Sequence, residues 1–156
     1  MQAKADWLLG KADSLHVDSA PVRRLKTRAQ FQAVLGGITV SKTAHFALHA
    51  RALELAPAES GALLFPESAV WLGAMVPKRW AKRAVTRNTI KRQIYSLGAE
   101  LSPGLELRAH LVRLRSGFDR AQFHSATSDV LKAAVRSELQ QLFVRARANA
   151  GTSLQP

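Results

Sequence analysis

Between residues 44 and 55 the chain alternates. Phe46, Leu48, Ala50 and Ala52 fall on one side, and His45, Ala47, His49 and Arg51 fall on the other. A period of two belongs to a β-strand with one apolar and one polar face. Such a strand needs a sheet to join and a layer to cover its apolar face. The rest of the chain supplies both. Residues 69–76 form a more uniformly apolar run ended by Pro77, and residues 105–115 form a third run ended by Ser116-Gly117. Residues 56–68, with Pro57, Gly61, Pro66 and two Glu, read as a loop.

Helical signals separate these strands. Thr27 and Gln30 stand at capping-box spacing, so each can satisfy an early N–H of a helix that carries Phe31, Val34 and Leu35. Gly36-Gly37 stops it after about two turns. A second helix starts between Lys82 and Val85 and runs to about Leu97, where Gly98 and then Pro103-Gly104 break it. Residues 121–148 contain no Gly or Pro, and Leu131, Val135, Leu139, Leu142 and Ala146 form an apolar stripe. The expected fold is therefore α+β, one sheet with helices packed on it. Residues 1–20 read as a flexible extension, 21–148 as one domain and 149–156 as a disordered tail.

Charge narrows the function. The 156 residues carry 23 Lys/Arg against 11 Asp/Glu, a formal net charge of +12, with a sequence pI of about 11.3. An excess of this size attracts a polyanion, either nucleic acid or an anionic surface. It is unevenly spread. Residues 1–20 sum to −1, from two Lys and three Asp, whereas residues 78–92 hold seven Lys/Arg and no acid. The absence of cysteine excludes disulfides and thiolate metal sites. No apolar run approaches the roughly 18 residues of a membrane span, and Gly10, Lys11 and Asp13 interrupt any signal-peptide pattern, so a cytoplasmic protein with no membrane partner is expected.

On a helical wheel Ile90, Ile94 and Leu97 share an arc of about 60°, and Arg87, Asn88, Lys91 and Arg92 spread over the other side. Lys78, Arg79, Lys82 and Arg83 extend that surface into the preceding loop. Lysine and arginine neutralise phosphates and release counterions, and the guanidinium fork adds bidentate contact. Asn88 both donates and accepts, which suits a sugar hydroxyl or a base edge. Such chemistry fits folded RNA and, by itself, DNA equally. Protein-borne catalysis is not indicated: there is no Ser-His-Asp arrangement and no Gly-rich phosphate loop, and the acids are few and scattered. His45 and His49 stand about 13 Å apart on a strand, too far to share a metal. Phe31 can be a stacking platform or core, Trp71 reads as core, and Trp80 either packs at a sheet edge or stacks on RNA.

The run Val76-Pro77-Lys78-Arg79-Trp80-Ala81-Lys82-Arg83-Ala84-Val85-Thr86-Arg87-Asn88-Thr89-Ile90-Lys91-Arg92 resembles the signature of the bacterial ribonuclease P protein family: a strand, a basic loop, then a helix carrying Arg-Asn-x-x-Lys-Arg. Arg24-Leu25 before the Phe31 helix, His45-Phe46-Ala47-Leu48-His49, and the final strand and long helix extend the resemblance over residues 23–147. The family often has Arg-Glu where Tyr95-Ser96 stand here, and aromatics where Leu35 and His49 stand. The resemblance implies an α/β two-layer sandwich like the second domain of gyrase B. That fold has one mixed sheet of about four strands, three helices and a left-handed βαβ crossover, although chain rules alone favour the right-handed form. It implies the protein subunit of a ribonucleoprotein endoribonuclease that removes the 5′ leader of precursor tRNA. Catalytic RNA and the Mg2+ held mainly by it would carry the chemistry, with no obligate protein partner. Lys78, Arg79, Lys82, Arg83, Arg87, Asn88, Lys91 and Arg92 would bind the ribonuclease P RNA. Phe31, His45, His49 and Arg51 would line a cleft for the precursor tRNA leader.

Overall fold

The capping box forms as its spacing predicts. Gln30 N donates to Thr27 Oγ1 (3.1 Å), and Thr27 N donates to Gln30 Oε1 (3.2 Å). The helix it opens, α1 (Arg28–Leu35), ends at Gly36. Gln30 also donates Nε2–H to Leu64 O (2.9 Å), which ties α1 to the segment before the fourth strand. The computed structural model describes residues 22–53, 63–118 and 129–153. The remaining elements are β1 (Arg23–Arg24), β2 (Ile38–Lys42), β3 (Phe46–Ala52), β4 (Trp71–Met75), α2 (Ala84–Leu101), a 3-10 turn (Ser102–Gly104), β5 (Arg108–Leu114) and α3 (Asp129–Ser153).

The five strands form one mixed sheet in the order β1-β4-β5-β3-β2. β4 pairs parallel with both β1 and β5, whereas β3 pairs antiparallel with both β5 and β2. Five strands stand where about four were expected. Two-residue β1 has too few positions to show a period. The register of β2 against β3 shifts between Thr39 and Ser41, so a bulge spoils the alternation there. The α+β class, the single mixed sheet and, among the described residues, the three α-helices are as expected.

One face of the sheet carries the main core. Phe46, Leu48, Leu72, Ala74, Val112 and Leu114 pack there against Ile90, Ile94 and Leu97 of α2 and Leu131, Val135, Leu139 and Leu142 of α3. The opposite face is smaller. Trp71, Ala109 and Leu111 meet Leu25, Val34, Phe65 and Ala69. Layers on both sides explain why residues 46–50 of β3 are all buried, including His49 on the face read as polar.

Gly98 does not break α2. It lies buried inside the helix, where an added Cβ would fall 2.3 Å from Leu72 Cδ2. The glycine lets helix and sheet approach closely, and the helix runs on to Leu101 because its apolar face is still docked. α3 reaches Ser153, past the start of the segment expected as a tail. The expected extension over residues 1–20 lies outside the described residues. Among those described, no helix is long and apolar enough to cross a membrane.

Candidate nucleic-acid interface

The basic run leaves β4 as a pinned turn. Trp80 N and Ala81 N both donate to Pro77 O at 3.1 Å, and Ala81 is buried. Lys78, Arg79, Lys82 and Arg83 are exposed around that turn. α2 begins at Arg83 with no side-chain cap and no acid in its first turn. Asn88 and Arg92 are exposed and Lys91 is half-buried, while Ile90, Ile94 and Leu97 face the sheet.

Arg87 does not stand on the outward side expected for it: seven residues before Ile94, at 100° per residue, it falls about 20° from that buried side chain. It is half-buried beside the docked arc, and its Nη1 donates to Ala81 O (3.0 Å) and Lys82 O (2.8 Å). It therefore braces the turn that displays the other cations.

A groove of about 580 Å³ runs along α2, lined by Arg24, Asn88, Lys91, Arg92, Tyr95 and Ser96, with Ala99 at its end. The Arg24 guanidinium sits 4.0 Å from the centroid of the Tyr95 ring. Tyr95 Oη accepts the N–H of Ala74 (3.2 Å), past the end of β1. Sequence reasoning missed Arg24 and Tyr95 as groove residues. Residues 21–35 hold four Lys/Arg and no acid, which is the available signal for Arg24, but charge alone assigns a residue to no element.

The second candidate region lies on the smaller face of the sheet. Phe31 is half-buried over Gly73, where an added Cβ would stand 2.9 Å from Phe31 Cε1 and 2.6 Å from Leu25 Cδ1. His49 is next to Leu111 in the register, and Leu111 is next to Gly73. Its Nε2 accepts from Arg113 Nε (3.2 Å), and its Nδ1 meets Thr39 Oγ1 at 3.1 Å. Burial, first, and the nearby Arg113 and Lys42 hold its pKa below the ordinary histidine value. Arg51 is half-buried at the end of β3 and reaches Ala33 O of α1 at 3.4 Å. Phe31, His49 and Arg51 thus share the α1 side of the sheet. Lys42 and Arg113, both paired with Ala47, add two cations that sequence reasoning did not single out. Arg113 follows Ala109 and Leu111 at a period of two, which was the available signal.

His45 does not join them. It precedes β3, and its chain turns back as Thr43 N donates to Phe46 O (2.8 Å). Alternation therefore no longer governs its direction. Its Nδ1–H donates to Glu138 Oε1 of α3 (2.8 Å), and its ring stacks on Phe118 at 4.0 Å. Glu138 also accepts from Thr43 Oγ1 and His45 N, both at 2.6 Å. His45 belongs to a clamp between the hairpin turn and α3, and its place among the cleft residues is corrected accordingly.

A family model, Ribonuclease P, matches residues 20–148. The ribonuclease P protein component of Ralstonia pickettii is 35% identical over 129 residues, covering 83% of this chain and 81% of that protein. The corresponding protein of Bordetella parapertussis is 32% identical over 78% of this chain and 89% of its own length. Among solved structures, the RNase P protein of Staphylococcus aureus superposes with a TM-score of 0.55 at 19% identity, covering 79% of this chain and 94% of that one, a likeness in fold.

Proposed function

Since the chain belongs to the ribonuclease P protein family, we propose that it binds the catalytic RNA through the turn at residues 78–83 and the exposed side of α2, and the single-stranded 5′ leader of precursor tRNA in the cleft between α1 and the sheet. The observation that carries this reading is the run of seven Lys/Arg without an acid at residues 78–92, displayed on a pinned turn and a docked helix.

The electrostatics support it. A helix N-terminus carries partial positive charge, and each cation placed there is unfavourable by about 0.3–1 kcal/mol. Arg83 and Arg87 stand at that end of α2 with no acid in its first turn. A row of phosphates laid on the same surface turns the repulsion into attraction and releases counterions.

The reaction proposed is Mg2+-dependent endonucleolytic hydrolysis giving the mature 5′ end, in the cytoplasm and without an obligate protein partner. The described side chains do not fit a resident metal, because no group of three or more His, Asp or Glu gathers among them. In this reading the magnesium ions are held mainly by the catalytic RNA. The protein supplies RNA contact, leader contact and charge screening.

Reconstitution tests this reading. Protein, catalytic RNA and end-labelled precursor tRNA are mixed at limiting Mg2+. Leader removal should be faster than with RNA alone, and protein alone should leave the substrate intact. Equal rates with and without protein would overturn the reading.

A further inference from the structure

Two tryptophans lie within ten positions of each other and live in opposite environments. Trp71 is 6% exposed, and its indole N–H donates to Glu67 O at 2.9 Å. Trp80 is 38% exposed. The backbone beneath Trp80 is nonetheless fixed. Its N–H bonds Pro77 O, the next N–H bonds the same oxygen, and Gly117 packs so closely that an added Cβ would come within 2.9 Å of Trp80 O. The residue is therefore a partly exposed aromatic on a fixed backbone.

Its surroundings identify the occupant. Lys78, Arg79, Lys82 and Arg83 surround it in sequence, and the Arg79 guanidinium lies 5.5 Å from the ring centroid. An apolar protein partner would have to bury four cations to reach this ring, at a heavy desolvation cost. A nucleotide does not meet that obstacle: its base offers a π-face and its phosphate offers the countercharge.

We propose that Trp80 stacks on one unpaired nucleobase of the RNA that lies on the basic surface, with Arg79 over the same ring and the flanking cations on the adjoining phosphates. The site adds to affinity through stacking and favours RNA segments whose base can swing out of a helix. This proposal rests on the reading that residues 78–92 bind RNA.

The test uses the full chain and the catalytic RNA, with dissociation constants measured across a salt series. Trp80→Leu should weaken binding about 5- to 150-fold, the range of one lost base stack, with the log–log salt slope unchanged because no cation is removed. Trp80→Phe should retain most of the affinity. Tryptophan emission of the wild-type protein should be quenched by the RNA, and the quenching should largely vanish in Trp80→Phe. Equal binding by Trp80→Leu and wild type, equal losses for Leu and Phe, or equal quenching in Trp80→Phe and wild type would each overturn the stack. A parallel variant, Lys82→Gln with Arg83→Gln, separates the two readings. If its salt slope shrinks while Trp80→Leu binds normally, the stack alone fails. If its slope and affinity are unchanged, the basic-surface reading fails and the stack falls with it.

Discussion

Arg113 donates its Nε–H to Nε2 of His49 across 3.2 Å, and this one contact fixes the state of the histidine. A guanidinium has donors only, so Nε2 must offer a lone pair. The proton then sits on Nδ1 and points to Thr39 Oγ1 at 3.1 Å. His49 is neutral in this arrangement, in keeping with a pKa lowered by burial and by the charges of Arg113 and Lys42.

Stability should therefore fall as pH drops below about 6.5, the ordinary histidine value. In that range the unfolded chain takes up a proton that folded His49 refuses, so acid favours unfolding. Buried His110 has its pKa lowered in the same direction, first by desolvation, and contributes to the same window. Urea denaturation of wild type and His49→Gln at pH 7.5 and 5.5 measures the effect. Glutamine can accept from Arg113 and donate to Thr39 without titrating. The loss of stability on acidification should be smaller in His49→Gln. An equal loss in both proteins would assign the effect elsewhere.

Glu138 supplies a second pH dependence of different origin. Its pKa is lowered: burial pushes it up, but the hydrogen bonds from Thr43 and His45 and the attraction of His45 outweigh burial. The stabilisation is present above about pH 4.3, the ordinary glutamate value, and is lost as pH falls through the lower folded value. Glu138→Gln should destabilise the protein by about 1–3 kcal/mol at neutral pH, because one carboxylate oxygen is replaced by a donor facing donors. The difference between the thermal melts of the two proteins should narrow as pH falls below about 4.3. A constant difference at all pH values would show that the clamp does not depend on the charge.

Features that depend on neighbours along the chain were legible in the sequence, and features that depend on contacts across the fold were not. Thr27 and Gln30 could be paired three residues apart, and Ile90, Ile94 and Leu97 could be placed on one buried face. Gly98 looked like a helix stop because nothing in the sequence shows Leu72 pressing on it. His45 followed the parity of His49 until the Thr43–Phe46 turn and Glu138 took it out of the strand. Arg87 was grouped with the outward cations although its spacing from Ile94 sets it beside the buried arc; its acceptors, the carbonyls of Ala81 and Lys82, exist only when the turn is folded. The polar face of β3 is legible in the alternation of residues 44–55, but Arg113 joins it only with the pairing of β5 to β3.

Arg87 and Lys91 should accordingly behave differently. Lys91→Ala removes one phosphate partner, so the log–log salt slope for binding the catalytic RNA should shrink by about 0.9, with little change in thermal stability. Arg87→Ala also removes two hydrogen bonds to carbonyls of the turn, so it should lower the melting temperature as well. Arg87→Lys keeps the charge but lacks the planar fork, and it should recover the slope better than the stability. If Arg87→Ala melts like wild type, the brace has no energetic weight.

The cleft gives the test that separates leader binding from general RNA affinity. Phe31 sits over Gly73, and Arg51 extends from the end of β3 toward Ala33 of α1. If the leader runs between α1 and the sheet, Phe31 offers it a ring and Arg51 a phosphate contact. Phe31→Ala with Arg51→Ala in the reconstituted holoenzyme should weaken binding of precursor tRNA bearing a leader of several nucleotides, by about 1–3 kcal/mol for each stack removed. Affinity for mature tRNA, which has no leader, should change little. Both dissociation constants are measured at one salt concentration, since phosphate contacts make each of them salt-dependent. Because Phe31 also packs against the Leu25–Trp71 cluster, the variant should melt at a lower temperature, and binding must be read well below that transition. Arg51→Ala alone, with Phe31 in place, supplies the control. A selective loss for precursor tRNA in both variants assigns the leader to this face of the sheet. Equal losses for precursor and mature tRNA in a folded Arg51→Ala protein would remove the cleft from leader recognition.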